Sequence, residues 1–262
     1  MKTRLTSLLT TIAVIFGCGG AIALLQQPRL QQLTEATTVL SQATLEQQVE
    51  QESLRLDLWQ RLPALGFDNL IANWNFLTFL QYFGDDEGRS RTDYSLSPKY
   101  FQVILKNDPY FWNAYLFLSG SSTLYAGQPD RTIEIMEQYL PKLSPKVPDR
   151  AYFIWRWKAT DELLFLSDPQ AAADSYQTAG EWAAEYDTEE GRVVAEVSRG
   201  TADYLRVNPT SRAVQVTAWM TIYGNAFDEA TRQRAIDNIR ALGGDVILNE
   251  KGEVVEVKSP SN

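Results

Sequence analysis

The chain of 262 residues contains no histidine and one cysteine, Cys18. Without histidine it lacks the commonest general base near neutral pH and the commonest metal ligand. One thiol excludes an intrachain disulfide and a multi-cysteine zinc site. The sequence has no glycine-rich phosphate loop, no Ser–His–Asp set and no cluster with metal-ligand spacing. Cations are also short: 24 Lys and Arg stand against 33 Asp and Glu. Lys2 and Arg4 are the only charges in the first 25 residues, so the remainder holds 22 basic and 33 acidic residues, a net charge of −11. Such a surface repels phosphate backbones and disfavours nucleic-acid binding. Together these absences argue against an enzyme, and no catalytic residue, metal or cofactor is expected.

Apolar sequence, by contrast, is plentiful. With 44% hydrophobic residues the chain is long enough for an anchor plus one sizeable domain. Leu5 to Leu25 is 21 residues without a charge, following Lys2 and Arg4. A helix of that length spans about 30 Å, the thickness of a bilayer core. Its positive flank keeps the N-terminus cytoplasmic and sends the rest of the chain to a periplasm or thylakoid lumen. Ala21-Ile22-Ala23 resembles a signal-peptidase site, and Ile15-Phe16-Gly17-Cys18 resembles a lipoprotein cleavage box. The length of the run favours an uncleaved anchor over both. The predicted layout is an anchor at 1–27, a helical stalk at 28–62, a repeat domain at 63–245, and a β-hairpin with tail at 246–262.

The stalk carries a weak heptad (Leu30, Leu33, Thr37, Leu40, Thr44), with a less regular stripe through Leu45, Val49, Leu56 and Trp59. Pro63 ends it. Leu65–Gly84 is unusually aromatic and carries two apolar stripes, one through Leu70, Trp74 and Leu77, the other through Phe76, Phe79 and Phe83. A helix apolar on more than one face is buried on both sides, or it meets a partner or a membrane surface. Burial in the core is the expectation, because aromatic stripes usually pack inside. Asp85 to Arg91 reads as a solvated polar loop. Helices are then predicted over Ser97–Lys106, Tyr110–Tyr125, Asp130–Leu143, Asp149–Leu166, Pro169–Tyr186, Glu189–Val207, Ser211–Asn225 and Asp228–Leu242. Asp108 and Asp130 are expected to cap their helices, with Pro109 in a first turn. Val246–Leu248 and Val254–Val257 flank a turn and predict a small hairpin.

Three later helices share one spacing: Ile133, Glu137, Leu140; Ala172, Tyr176, Ala179; Ala235, Ile239, Leu242. Steps of four and three put each set on one face. With the Pro corners at Pro109, Pro145 and Pro209, this resembles the tetratricopeptide repeat family. Tyr115 and Leu118 fall where that family places its aromatic and leucine, while Ser119 replaces the expected glycine. More narrowly, Asn73-Trp74, Leu80 to Asp85 and Asn107-Asp108-Pro109 resemble membrane-anchored tetratricopeptide-like proteins of bacteria, cyanobacteria especially. The resemblance implies an all-α, right-handed solenoid of helical hairpins with an N-terminal transmembrane helix and a small C-terminal β-hairpin. It implies a membrane-tethered scaffold for a protein partner, such as an assembly or adaptor factor for a membrane complex.

The inner surface of such an array comes from the first helix of each hairpin, which makes Asn113, Phe117, Arg156 and Tyr223 the candidate partner-binding residues. Trp155 to Lys158 with Asp161-Glu162 is the densest polar–aromatic group. Lys158 stands three and four residues from these acids and is expected to pair along the helix. The alternatives are an extracytoplasmic hydrolase acting through paired carboxylates, or a spacer whose aromatic Leu65–Gly84 helix does the docking.

Overall fold

The computed structural model describes residue 26, residues 41–249 and residues 254–258. The expected anchor, the heptad from Leu30 to Leu40 and the end of the tail lie outside the described residues. Among the described residues no helix is long and apolar enough to cross a membrane. The fold is mostly helical, with eleven α-helices and one two-stranded antiparallel sheet among these residues.

Helix α1 (Gln42–Arg61) is capped by Ser41, whose Oγ accepts from the Thr44 amide at 3.2 Å. It ends at Leu62, held extended as the residue before a proline prefers. Leu65 and Gly66, both at positive φ, turn the chain into α2 (Asp68–Phe83). Asp85 to Arg91 is not the predicted loop. It contains a short helix, α3 (Asp86–Arg91), because Asp85 caps the Gly88 amide. Acids at its start and arginines at its end then complement the helix dipole.

Helix α4 (Ser97–Asn107) is the centre of the largest core cluster. Phe101, Val103, Ile104 and Leu105 are completely buried, with α1 and α2 packed along it. Leu56 of α1 is fully buried in that cluster. Lys99 reaches back to Asp57 at 2.9 Å and to Ser53 at 2.7 Å, and Lys106 donates to the last carbonyls of α1, Gln60 at 2.6 Å and Leu62 at 3.2 Å. The described part of the expected stalk is therefore fastened to the domain.

After α4 the Asp108 carboxylate takes the nearest free donor, the Tyr110 amide at 3.0 Å, and closes a turn. Pro109 and Tyr110 consequently stay outside the next helix, which starts at Trp112 rather than at the proline. Helix α5 (Trp112–Leu118) runs on into a π-helical segment (Ser119–Tyr125). Helix α6 (Pro129–Tyr139) holds Asp130 in its first turn instead of at its cap, since Pro129 occupies the first helical position. A 3₁₀ turn (Leu140–Lys142) comes next.

Helices α7 (Tyr152–Leu164), α8 (Pro169–Ala183) and α9 (Glu189–Val207) pack in sequence, α8 between the other two. Helices α10 (Arg212–Asn225) and α11 (Glu229–Ala241) form the last pair, with α10 also against α7. Asp168, Thr188, Ser211 and Asp228 cap α8 to α11 in turn. Strands β1 (Asp245–Leu248) and β2 (Val254–Lys258) pair with Val246 opposite Val257, and buried Val246 joins the apolar cluster beneath α11.

Candidate interaction sites

Helix α2 buries only one of its two apolar stripes. Ala72, Phe79 and Tyr82 face the core, and Phe76 and Phe83 pack against it. The Phe79 ring meets Phe101 edge-on at 4.6 Å and Tyr100 at 5.7 Å. The stripe through Leu70, Trp74 and Leu77 points outward, each residue 57–64% exposed. Core burial thus holds for half of this helix. Large apolar side chains are also exposed at the turn, Leu62, Leu65 and Phe67, and on α1, Leu54 and Leu58, where Arg55, Asp57 and Arg61 stand among them. From Asn69 to Gly84 the chain carries no charge. Scattered apolar surface is ordinary; a charge-free helix that turns several large apolar side chains outward marks an interaction surface.

A second site lies where α5 with its π-helical extension, α7 and α10 converge. Leu116 of α5, Ser119, Gly120, Leu124 and Tyr125 of the π segment, Trp157, Thr160 and Asp161 of α7 and Thr221, Ile222 and Asn225 of α10 line a cavity of about 40 Å³. Phe165, Ala226, Phe227 and Thr231 complete its wall. The π segment packs one more residue into each turn than an α-helix and so has a wider bore; such segments recur at functional sites. The α10–α11 corner closes over the cavity. Phe227 stacks flat on Phe117, with ring centroids 4.5 Å apart and planes 6° apart. Gly120 makes room for it, since a Cβ there would sit 2.9 Å from the Phe227 ring. The Tyr125 hydroxyl donates to Asp228 Oδ2 and lies 2.6 Å from Thr231 Oγ1, while Arg234 Nη1 donates to the Leu124 carbonyl at 3.3 Å.

Asp161 is the one charged group in this lining, and only 2% of it is exposed. Burial pushes its carboxyl up to about 7; facing hydroxyls of Ser119 and Thr123 pull the other way, and neighbouring Glu162 adds to the rise. Its Oδ2 is buried with no hydrogen-bond partner.

Of the two acids available to Lys158, Glu162 takes the ion pair. Ser175 of α8 donates to Glu162 Oε2 at 2.6 Å, and Lys158 also reaches Glu137 of α6 at 3.4 Å. Burial raises the Glu162 carboxyl, and Lys158 and Ser175 offset part of that rise. This group ties α6, α7 and α8 together and leaves Asp161 out.

The four residues expected to line an inner surface do not converge. Asn113 is exposed on α5. Phe117 borders the cavity region but is covered by Phe227. Arg156 donates to Ser198 of α9 at 2.7 Å and lies 5.9 Å from the Tyr176 ring centroid, as a packing cation does. The Tyr223 hydroxyl accepts from the Val254 amide at 3.2 Å and ties β2 to α10. The cavity residues not singled out in the sequence are Tyr125 and Phe227; Asp161 was singled out there, as a partner for Lys158. One signal for Asp161 was present, because Trp157 and Phe165 flank it four residues away on either side and place it inside an aromatic stripe. No protein-family model, curated protein or solved structure matches this chain.

Proposed function

We propose that the protein is a membrane-tethered helical scaffold that docks an apolar helix of a membrane protein on its α1–α2 hairpin. The observation that carries this reading is the outward stripe of α2, large, aromatic-centred and uncharged, with further exposed leucines at the turn and on α1. Trp74 stands in its middle, and buried tryptophans dominate the energetics of protein interfaces. The charge-free N-terminal run supplies the tether and places the hairpin on the far side of the bilayer. Helices α5 to α11 form a tetratricopeptide-like array behind it. Support for this comes from the Pro-punctuated corners and from α5, α7 and α10 lining one common cavity. The hydrolase alternative needs two carboxylates across a cleft, whereas the cavity lining among the described residues includes a single acid.

The test is site-specific photocrosslinking of the full-length protein in native membranes. A photoreactive residue at Trp74 or Leu77 is expected to give one discrete protein adduct, and one at exposed Val197 of α9 none. Adducts to lipid alone would mean that the hairpin rests on the bilayer surface. That result would overturn the docking of a protein helix.

A further inference from the structure

We propose that the α10–α11 corner is a pH-sensitive latch over the cavity, shut while Asp161 carries its proton and opening more often once Asp161 is ionised. This inference is independent of the docking surface on α1 and α2.

The latch is a corner held down by side chains. Ala226 and Phe227, between α10 and α11, share the cavity wall with Asp161 of α7. The fastenings come from α5 and the π segment. Phe117 lies flat on Phe227, the Tyr125 hydroxyl engages Asp228 and Thr231, and the Leu124 carbonyl accepts from Arg234. The Phe83 ring of α2 meets Phe227 edge-on at 5.9 Å. Each of these contacts uses a side chain of the corner or of α11. The corner can therefore lift while the backbone hydrogen bonds of α7, α8 and α9 stay intact.

Asp161 is the sensor because the shut corner keeps water from it. Only 2% of the residue is exposed, and its Oδ2 is buried without a hydrogen-bond partner. The Ser119 and Thr123 hydroxyls face the carboxyl and offset part of the cost of burying a charge, but burial outweighs them. An ionised carboxylate is thus poorly solvated in the shut state. Lifting the corner admits water to the wall that Asp161 shares with Phe227 and relieves that cost.

The other charged groups around the cavity are engaged elsewhere. On α7, Glu162 and Lys158 pair with each other and with Ser175 and Glu137, and neither lines the cavity. Arg156 of α7 donates to Ser198 of α9. The π segment and α10 bring no charge to the lining. On α11, Asp228 accepts from Tyr125 and from the Thr231 amide, and Arg234 is bonded to Leu124. The sign follows from Asp161 alone. It holds its proton to about 7 when shut in, and to near 3.8 in open water. Between those values the shut state binds more protons, so opening becomes more frequent as pH rises and levels off above about 7.

The experiment is native-state hydrogen exchange of the full-length protein in detergent, wild type and Asp161→Asn, at pH 5 and pH 7 with small additions of urea. Comparing the two proteins at one pH cancels the pH dependence of the exchange chemistry. From pH 5 to pH 7, opening at the α11 and β1 amides is expected to rise about fiftyfold in the wild type relative to Asp161→Asn. Its urea dependence should be shallow, because a local opening exposes little surface. Equal pH responses in the two proteins would overturn the proposal. So would a response with the steep urea dependence of α8 and α9, which would mean that the whole fold opens. Tyr125→Phe keeps Asp161 and gives a second reading: the pH response should survive in it. Its loss there would place the sensor at Asp228 and overturn the assignment to Asp161.

Discussion

A carboxyl placed in an apolar wall makes stability depend on pH in a direction opposite to that of an ordinary surface acid. In the unfolded chain Asp161 loses its proton near 3.8, and in the folded protein it keeps the proton to about 7. Between those values the folded state binds more protons, so stability falls as pH rises and levels off above about 7. The difference corresponds to a loss on the order of 4 kcal/mol across that window. The raised Glu162 carboxyl acts in the same direction. Asp161→Asn removes the Asp161 share and keeps the side-chain shape. Its urea midpoint is therefore expected to fall much less between pH 5 and pH 8 than that of the wild type. Equal falls in the two proteins would show that Asp161 ionises freely in the fold.

At the scale of elements, the most extensive helix contact is between α8 and α9, where both present small residues. Ala172, Ala179, Gly180 and Ala183 on α8, and Ala195, Ser198 and Ala202 on α9, are buried. A Cβ on Gly180 would lie 2.6 Å from Arg199 Cγ, 3.1 Å from the Ala195 carbonyl and 3.2 Å from the Arg199 amide, two of them backbone atoms that cannot step aside. Gly180→Ala should cost about 1–3 kcal/mol through overpacking. Gly200→Ala on α9 meets nothing within 4 Å and should gain up to about 1 kcal/mol from helix propensity and a less flexible unfolded chain. Urea midpoints moving in opposite directions are the expected result; a stabilised Gly180→Ala would mean that α8 and α9 sit farther apart.

This pair also shows what sequence could convey. The four-and-three spacing of Ala172, Tyr176 and Ala179 announced a shared buried face, and Ser211 and Asp228 announced helix starts. Asp108 and Asp130 carried the same signal but act differently, because a turn amide and a proline compete for their places. Which acid Lys158 pairs with was not legible. The choice is made by Ser175 and Glu137, which arrive from other helices. The two stripes of α2 were visible, but only the position of α4 decides which one is buried.

The whole molecule is closed by contacts between parts of the chain more than 100 residues apart. Tyr125 meets Asp228 and Thr231 across 103 and 106 positions, and Arg234 meets Leu124 across 110. These bonds and the Phe117–Phe227 stack hold the α10–α11 corner over the cavity and fix how far it opens. Asp228 also caps α11, so replacing it would remove two interactions at once. Tyr125→Phe removes only the hydroxyl and leaves the ring against Phe83 and Tyr94, at 5.0 and 5.2 Å. Losing a hydrogen bond to a charged acceptor costs about 1.5–3 kcal/mol. Opening of the corner should accordingly increase by at least about tenfold. Hydrogen exchange is the measurement: amides of α11 and β1 should exchange faster in Tyr125→Phe, while those of α8 and α9, packed on each other, keep the wild-type rate. Faster exchange throughout would mean that the fold opens as one unit. Unchanged exchange in α11 would mean that the aromatic stack and Arg234 alone hold the corner shut.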